Sequence, residues 1–498
     1  MTPTVQQQAF LDALTGTRDN LALVARAGCG KTSTILLGVD AIVKAEPQAE
    51  VTVCAYNKAI ADEVGAKLKS AGHSNWQKVQ AATLHSMGWG LVRFVFKSAI
   101  DDKKVRNIIS GMNEDRDLYE QYGNQISALV RMGKQSGVGF FPTKQIGDIG
   151  MWYALADHYD INGLDDTSDM DQVVSATQNI YRRSLAQIDV ADFDDMVLFP
   201  LIKNLRVKFT KDYLFLDEAQ DLSPARQALA RKFMKPHTGR MIVVGDDRQA
   251  IYGFSGADAD AMPNLIRELS AKEMPLSVTW RCPKAVVTLA QSLVPDIEAA
   301  PSAAQGAVRQ MAEVPDDLGA EDAILCRNTA PLISLAYKLI RSGKPCKVEG
   351  RSIGEGLAQL AKRWKVTTID ALLKKLDTYK EREVQKAMAR GNDAKVEEVE
   401  DRVATLVEIC QACIAQQKTS LADVLSFIDS LFADGAEGVT VLCTYHRSKG
   451  REFPRVFLLE HAERCPSRAA KQPWQRAQEN NLAYVAFTRA QKELVFVG

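Results

Sequence analysis

The sequence has no excess of charge of either sign, because 62 lysines and arginines balance 62 aspartates and glutamates over 498 residues. A zero balance excludes a chain whose whole surface attracts phosphate, so any phosphate-binding surface must be a local basic track. Long apolar runs are also missing, since none approaches the roughly 18 residues that a membrane-spanning helix requires. The start, MTPTVQQQAF, lacks a basic segment followed by an apolar core, which argues against a signal peptide. These absences together indicate a protein that works away from membranes.

Cysteine is sparse, with nine residues at irregular positions. An odd, scattered count excludes a disulfide framework and is typical of a reducing compartment. We therefore expect a cytoplasmic location, in a bacterial or phage-infected cell, with the nucleus also open. Cys410 and Cys413 form a CxxC pair without a second pair or a nearby histidine. They continue the apolar face that Val399, Val403 and Leu406 begin, so we expect them in a helical core rather than in a zinc site.

Short apolar runs alternate with helical patterns along most of the chain. The predicted strands cover residues 21–26, 51–55, 79–82, 213–216 and 241–244, then 308–311, 323–326, 439–444 and 455–460, and finally the run LVFV after a helix expected over 482–490. Strands that alternate with helices predict an α/β fold, with parallel sheets covered by helices on both faces.

Two stretches, 91–190 and 351–436, lose the strand pattern and are mainly helical and polar. We interpret them as helical insertions, each placed inside one α/β unit. The expected plan is a first unit over 1–90 and 191–275 with the insertion 91–190, and a second unit over 276–350 and 437–498 with the insertion 351–436.

A glycine-rich turn follows the first predicted strand, and residues 25–32 read ARAGCGKT. The pattern is close to the phosphate-binding GxxxxGK[ST] loop, with Ala25 in place of the first glycine. Glycines let backbone N–H groups curl around phosphate oxygens at a helix N-terminus, where the helix dipole favours anions. Lys31 would reach the β- and γ-phosphates, and Thr32 would hold Mg²⁺. The predicted loop comprises Ala27, Gly28, Cys29, Gly30, Lys31, Thr32 and Ser33.

An apolar strand that ends in acids follows much later, with residues 214–221 reading LFLDEAQD. This is the Walker B arrangement of nucleotide hydrolases. Asp217 would hold Mg²⁺, directly or through water, and Glu218 would orient and deprotonate the attacking water. The two motifs together predict hydrolysis of ATP or GTP.

One strand further on, residues 243–256 read VVGDDRQAIYGFSG. Ligands of parallel sheets bind at the carboxyl ends of strands, so this segment faces the same nucleotide. Gln249 can both donate and accept, and would hold the water and the γ-phosphate together. The aromatics Tyr252 and Phe254 have no phosphate to contact, and we expect an exposed ring for base stacking, with core packing of Phe254 as the alternative.

These motifs and the remainder of the sequence resemble superfamily 1 DNA helicases of the UvrD/Rep/PcrA type. Some of the motif sequences are also similar to those of F-box DNA helicases. The segments that carry the resemblance are TPTVQQQAF, AYNKAIADEV, ATLHSMGW, GDDRQAIYGFSGA, LSVTWRCP, AILCRNTA, VLCTYHRSKGREFPRVFLL and NLAYVAFTRAQKEL. They occur in the family's order over nearly the whole length apart from the two insertions. The resemblance implies two RecA-like P-loop motor domains, each with a mainly helical insertion.

The resemblance also implies residue roles. Arg281 and Arg489 would contact the γ-phosphate, completing a catalytic set with Lys31, Asp217, Glu218 and Gln249. Adenosine contacts fall on Gln6, Trp280, Gly450 and Glu452. Positions that grip or couple to single-stranded DNA are Tyr56, Asn57, Lys58, Thr83, His85, Tyr252, Phe254, Thr444 and His446. For His85 and His446, a purely structural role is the alternative.

The expected activity is therefore ATP-dependent translocation and unwinding with Mg²⁺, in the 3′→5′ direction by resemblance alone. The expected substrates are single-stranded DNA and junctions of single-stranded with duplex DNA. Replication or repair proteins are candidate partners, and the active form is expected to be a monomer or weak oligomer. Three alternatives stay open: a translocase that strips proteins with little unwinding, a motor on RNA, and an ATP-gated binding switch in a repair or replication complex.

Overall fold

The computed structural model describes residues 2–72, 78–159, 161, 167–253, 256–258, 260–389, 393–432 and 438–498. The chain divides into two compact units, Met1–Ser277 and Val278–Gly498. Both units are α/β, with a six-stranded parallel sheet in each. This confirms the predicted fold class. No helix of the described residues combines the length and hydropathy needed to span a membrane.

The first unit contains one large and one small parallel sheet. Its strands are β1 Leu21–Ala25, β2 Val51–Cys54, β3 Val79–Ala82, β4 Ala99–Ile100, β5 Val190–Ala191, β6 Tyr213–Leu216, β7 Arg240–Gly245 and β8 Lys272–Leu276. The large sheet has the order β3-β2-β6-β7-β1-β8, and β4 pairs with β5 separately. Because the sheet is parallel throughout, the segments that follow β1, β6 and β7 meet at one edge.

Helices cover both faces of this sheet. They are α1 Val5–Gly16, α2 Lys31–Ala45, α3 Lys58–Ser70, α4 Leu84–Phe96, α5 Lys104–Ser110, α6 Arg116–Ser136, α7 Ile149–His158, α8 Thr167–Ala186, α9 Phe193–Ile202, α10 Pro224–Lys232 and α11 Ala261–Leu269. Alternate side chains of each strand enter opposite cores: Phe215 packs with α1, α2 and α3, and Leu214 packs with α4, α9, α10 and α11. Burial on both faces explains why these strands are continuous apolar runs in the sequence.

The helices between β4 and β5 have a core of their own, built around Trp152 and Tyr181. Beneath it lies a buried ionic cluster. The Lys134 ammonium lies 2.6 Å from the Asp192 carboxylate and 2.7 Å from that of Asp195, and Lys104 lies 2.7 Å from Asp195. Each charge has a partner of opposite sign, which is the condition for burying it. The cluster ties α5 and α6 to the start of α9.

The second unit also contains a six-stranded parallel sheet. Its strands are β9 Val278–Thr279, β10 Glu298–Ala299, β11 Ala307–Met311, β12 Ala323–Cys326, β13 Cys346–Val348, β14 Thr440–Thr444, β15 Phe453–Leu459 and β16 Ala490–Val497. The large sheet has the order β11-β16-β15-β12-β14-β13, and β9 pairs with β10. The segments after β12 and β14 therefore emerge side by side.

The helices of the second unit are α12 Lys284–Ala290, α13 Ala330–Arg341, α14 Arg351–Lys362, α15 Ile369–Ala389, α16 Asp393–Ile414, α17 Leu421–Leu431, α18 Tyr445–Ser448, α19 His461–Arg464 and α20 Pro473–Phe487. Cys410 and Cys413 are fully buried in the core that α16 shares with α13, α14, α15 and α17. The prediction of a core role for this CxxC pair is confirmed.

Several details differ from the sequence-based expectation. One helix has different bounds, and six strands of the described residues were not predicted: β4, β5, β8, β9, β10 and β13. The helix expected over 482–490 begins earlier, at Pro473, and ends at Phe487, because the chain must turn before β16 starts at Ala490. Strand β8 was not predicted at all. Its sequence, KEMPL, is mostly exposed and contains a proline, which suits the edge position beside β1 where only one neighbour pairs with it.

Candidate functional site

The glycine-rich loop follows β1 and leads directly into α2. Gly28 has φ +73° and Gly30 has φ +82°, a left-handed conformation that side chains other than glycine rarely adopt. Ala27 and Cys29 are buried, so small residues are required there. Gly30 is the N-cap of α2, and Lys31, Thr32 and Ser33 form its first turn. The N-terminus of α2 thus presents backbone N–H groups at the end of a buried strand, which is an arrangement for binding phosphate.

Lys31 contacts the acids that follow β6. Its ammonium lies 2.7 Å from the Glu218 carboxylate, and both side chains are largely buried. Burial lowers the pKa of Lys31, but the carboxylates of Glu218, Asp217 and Asp246 outweigh burial and raise this pKa above its ordinary value. Lys31 therefore remains a cation at the point where the acids converge.

Glu218 has a strained backbone. Its φ is +50°, which costs a residue other than glycine about 1–3 kcal/mol. The Asp217 carboxylate accepts the Glu218 N–H at 2.9 Å, and the Gln220 amide donates to the Glu218 carboxylate. These contacts aim Glu218 at Lys31 and leave the buried Asp217 beside it.

Gln249 lies in a 3-10 turn after β7, where its amide donates to the Asp246 carboxylate at 2.8 Å. Asp246 is fully buried and also contacts the Arg26 guanidinium at 2.8 Å. Burial raises the pKa of Asp246, and Arg26 opposes the rise. Arg26 also contacts Asp247 at 2.6 Å. The phosphate loop and the Gln249 turn are thereby joined through one ionic cluster.

Gln220 connects this cluster to β6. Its amide oxygen accepts the Asp246 N–H at 3.1 Å while its amide nitrogen binds Glu218. A Cβ at Gly245 would lie 2.4 Å from that oxygen, so a larger residue there would displace the Gln220 side chain. The sequence analysis missed Arg26, Gln220 and Asp246. All three lie inside the quoted motifs, and the available signal was a charged or amide side chain to which no role had been assigned.

Two neighbouring glutamines at the start of α1 contact different parts of the site. The Gln6 amide donates to the Ser277 hydroxyl at 2.8 Å and accepts the Ser277 N–H at 3.0 Å, just beyond β8. The buried Gln7, which the sequence analysis also missed, donates to the Thr34 hydroxyl at 2.9 Å. Gln7 is therefore anchored to α2, the helix that follows the phosphate loop.

Aromatic and imidazole side chains line the same edge of the first sheet. The rings of Tyr56 and Tyr252 are stacked, with centroids 6.0 Å apart and planes 10° apart. His85 lies in the first turn of α4, where burial, aided by the nearby Arg226 charge, lowers its pKa to about 4. Arg226 was another residue that the sequence analysis missed. Phe254, the remaining aromatic predicted for base stacking, lies outside the described residues.

Two other predicted DNA contacts cap helices. The side-chain amide oxygen of Asn57 accepts the Ile60 N–H at 2.9 Å at the start of α3, and the Thr83 hydroxyl accepts the Ser86 N–H at 3.1 Å at the start of α4. Lys58, the first residue of α3, is exposed. These helices therefore begin at the carboxyl ends of β2 and β3 with their N-termini fixed.

The second unit brings together its own set of predicted residues. The Arg281 guanidinium lies 2.5 Å from the Glu452 carboxylate and also donates to the Thr488 carbonyl at 3.3 Å. Arg489 follows Thr488 and is only 1% exposed. Its guanidinium donates to the Val485 carbonyl at 2.8 Å. Arg281 thus contacts the residue that immediately precedes Arg489.

The other predicted residues of this unit surround the ends of β9 and β14. Trp280 is 56% exposed, and Gly450 has φ +85°. Thr444 ends β14 and precedes α18, which contains His446. Burial, aided by Arg327 and Lys449, lowers the pKa of His446 to about 3. Like His85, His446 is uncharged at neutral pH, so neither imidazole is arranged to pair with phosphate as a cation.

Comparison with known proteins gives a consistent result. The family model described as the UvrD/REP helicase N-terminal domain matches residues 4–270. A probable DNA helicase II homolog of Mycoplasma capricolum is 25% identical over 285 residues, covering 55% of this chain and 38% of that protein.

Two further relatives show similar coverage. The DNA helicase II of Escherichia coli is 22% identical over 308 residues, covering 57% of this chain and 39% of its own length. The ATP-dependent DNA helicase PcrA of Staphylococcus epidermidis is 23% identical over 306 residues, with the same two coverages of 57% and 39%. The chain thus spans about two fifths of the length of these relatives.

Proposed function

The chain belongs to the UvrD/Rep helicase family, and from this premise we propose that it is an ATP-driven motor that moves along single-stranded DNA and separates duplex strands. The observation that carries the proposal is the contact of Lys31 with Glu218 beside Asp217, at the carboxyl edge of the first sheet. The relatives whose names state a DNA helicase activity support the choice of DNA.

Hydrolysis needs a base, a cation and a group that orients water. We assign the base to Glu218, whose strained backbone aims its carboxylate into the site, and the cation to Lys31. A γ-phosphate placed at Lys31 would compete with Glu218 for the ammonium and release the carboxylate to accept a proton from water. Gln249, held by Asp246, would orient that water.

Magnesium fits the oxygen donors of this edge. Thr32, in the first turn of α2, and the buried Asp217 would hold Mg²⁺ together with the nucleotide phosphates. The ion would neutralise charge on the β- and γ-phosphate oxygens. One or two protein ligands suffice for magnesium in nucleotide sites.

Arg281 and Arg489 of the second unit are proposed to neutralise the transferred phosphate during turnover, which can contribute about 10³–10⁵ in rate. In the structure, Arg281 is paired with Glu452. Arg281 would exchange that partner for phosphate, and Glu452 would then be free to bind the ribose. Gln6 and Trp280 are proposed to contact adenine.

Single-stranded DNA is proposed to run along the carboxyl edges of the sheets. The stacked Tyr56 and Tyr252 and the uncharged His85 offer ring faces to bases, and Thr444 and His446 would contribute from the second unit. Stacking accepts every base, so little sequence preference is expected. The 3′→5′ direction rests on the family resemblance.

We assign residues 1–90 and 191–275 to the first motor domain and residues 276–350 and 437–498 to the second. The segments 91–190 and 351–436 are their helical insertions. We further propose that the protein acts in the cytoplasm as a monomer or weak oligomer, with replication or repair proteins as partners.

The test is the ATPase rate alone and with single-stranded DNA, duplex DNA or single-stranded RNA, with Lys31→Ala as the blank. Strong stimulation by single-stranded DNA is expected, because nucleotide and DNA residues share the ends of β2, β3, β6 and β7. Equal rates under all conditions, above the blank, would overturn the motor proposal and favour an ATP-gated binding switch. Preferential stimulation by RNA would overturn the choice of DNA.

A further inference from the structure

A patch of exposed cations and rings lies on the first unit, away from the motifs described above. It comprises Arg93, Phe94, Lys97, Arg206, Lys208 and Phe209, and is called here the amino-edge patch. Phe94 is 69% exposed and Phe209 is 73% exposed. The first three residues lie at the C-terminal end of α4, and the other three lie in the loop between α9 and β6.

The two segments are in contact, and they lie at the opposite edge of the sheet from the candidate site. The Lys208 ammonium lies 4.7 Å from the centroid of the Phe94 ring. The loop that carries Lys208 leads into the amino end of β6, whereas Asp217 follows its carboxyl end. Helix α4 starts at the carboxyl edge and has 13 residues, so its last turn lies about 20 Å from Thr83.

The two segments of the patch carry cations and no acids of their own. Residues 84–100 and 199–211 contain no aspartate or glutamate. Among the described residues, no salt bridge involves Arg93, Lys97, Arg206 or Lys208. Cations at the end of α4 are favoured by the helix dipole, which accounts for Arg93 and Lys97. The dipole does not account for the loop cations or for the exposed rings.

We propose that the amino-edge patch is a second binding site for single-stranded nucleic acid. Cations set beside exposed aromatic rings are the combination that holds a single strand, with phosphates on the ammonium and guanidinium groups and bases on the rings. Lys208 lies over the Phe94 ring, and Phe94 is exposed enough to accept a base. The proposal rests on the proposed function only for the identity of the polymer, since the site lies outside the assigned DNA track.

The test uses two double variants, Arg206→Ala/Lys208→Ala and Phe94→Ala/Phe209→Ala. The matched control is Lys338→Ala/Arg341→Ala, which removes two exposed cations from the last turn of α13 in the second unit. Binding of an oligothymidylate of about 40 nucleotides, ample to reach both sites, is measured by fluorescence anisotropy over a range of salt concentrations. Melting curves check that each variant is folded. Because the substituted side chains are exposed, we expect the variants to fold.

Removing the two cations should lower the slope of log affinity against log salt by about 0.7 for each phosphate that the variant no longer neutralises. Removing the two rings should weaken binding about fivefold or more for each stacked base, with the slope unchanged. Stimulation of the ATPase by saturating oligothymidylate should be unaffected, because the assigned DNA track is intact. The control variant should match the wild type in every measurement.

Wild-type affinity and slope in both patch variants would overturn this inference and leave the proposed function standing. The inference is also overturned, and the patch becomes a protein-docking site, if the patch variants bind oligothymidylate like the wild type but lose the binding of an acidic peptide. If the wild-type protein binds no oligonucleotide, both proposals fail together.

Discussion

Replacing Asp246 with alanine is the sharpest test of how the nucleotide site is held together. Asp246 is fully buried and receives hydrogen bonds from the Arg26 guanidinium and the Gln249 amide, each at 2.8 Å. The substitution leaves Arg26 with Asp247 as its carboxylate partner, at 2.6 Å, and removes the carboxylate that accepts from the Gln249 amide.

The magnitude follows from these contacts. Removing one partner of a buried ion pair costs about 3–5 kcal/mol of stability. Because Arg26 keeps its contact with Asp247, its loss of Asp246 should cost an amount at or below the lower end of that range. Removing the acceptor of a buried amide adds about 1–3 kcal/mol. We expect a total of about 3–5 kcal/mol and a fall in Tm of about 5–9 °C for the first unit. Because Gln249 loses its anchor, kcat should fall about 10²-fold.

Calorimetry and steady-state ATPase assays measure the two effects. Asp246→Asn is the matched control, because it keeps the shape and one acceptor oxygen and should lose less stability. The double variant Arg26→Ala/Asp246→Ala should lose less stability than the sum of the two single variants, since the two side chains contact each other. Additive losses in the double variant, or an unchanged Tm in Asp246→Ala, would refute the reasoning.

Three further predictions concern single residues of the site. Glu218→Gln should abolish turnover and retain ATP binding in a filter or fluorescence assay, and normal turnover would remove Glu218 from the role of base. His85 has its pKa lowered to about 4 by burial, so the unfolded chain binds its proton first as pH falls below about 6.5 and stability is lost from there down to pH 4. In His85→Gln, the free energy of unfolding should therefore fall less over that pH window, by about 1–3 kcal/mol, and Tm should vary less with pH. A pH profile identical to that of the wild type would show that His85 is not neutral in the fold. Arg489→Lys should lower DNA-stimulated kcat by about 10³-fold or more and also lower Tm, because lysine cannot donate to both the Val485 and Arg451 carbonyls. Wild-type kinetics in Arg489→Lys would exclude the proposed contact with phosphate.

Most strands that sequence reasoning found, such as β1, β2, β6 and β7, are buried on both faces and form continuous apolar runs, whereas β3 and β11 were found although they are partly exposed. β6 and β12 have the bounds that were predicted, 213–216 and 323–326. Several short or polar strands were not predicted. In the part of the chain that the structure describes, β8 pairs with β1 alone and β13 with β14 alone, and neither has an apolar run long enough to stand out.

The residues of the candidate site were also predicted only in part. Lys31 and Glu218 were predicted to share one edge because fixed spacings place them after strands, and in the structure they are in contact. Arg26, Gln220 and Asp246 were missed because their roles come from contacts between segments far apart in sequence. Spacing within one motif carries no information about such contacts.

Two residues predicted as DNA contacts are N-caps of helices. Asn57 and Thr83 were predicted as DNA contacts, and their side-chain oxygens accept backbone N–H groups at the start of α3 and α4. Asparagine and threonine are common at helix N-caps, so a motif that starts a helix places these residues for local reasons. Contact with DNA stays a prediction for both.

The central claim, that ATP hydrolysis drives directional movement on single-stranded DNA, is tested most directly by streptavidin displacement. Oligonucleotides biotinylated at the 5′ or the 3′ end are loaded with streptavidin, and release is followed with ATP and free biotin, with Lys31→Ala as the blank. A 3′→5′ motor releases streptavidin from the 5′ end and leaves the 3′ end occupied. Release from neither end by a protein whose ATPase is active would contradict the account.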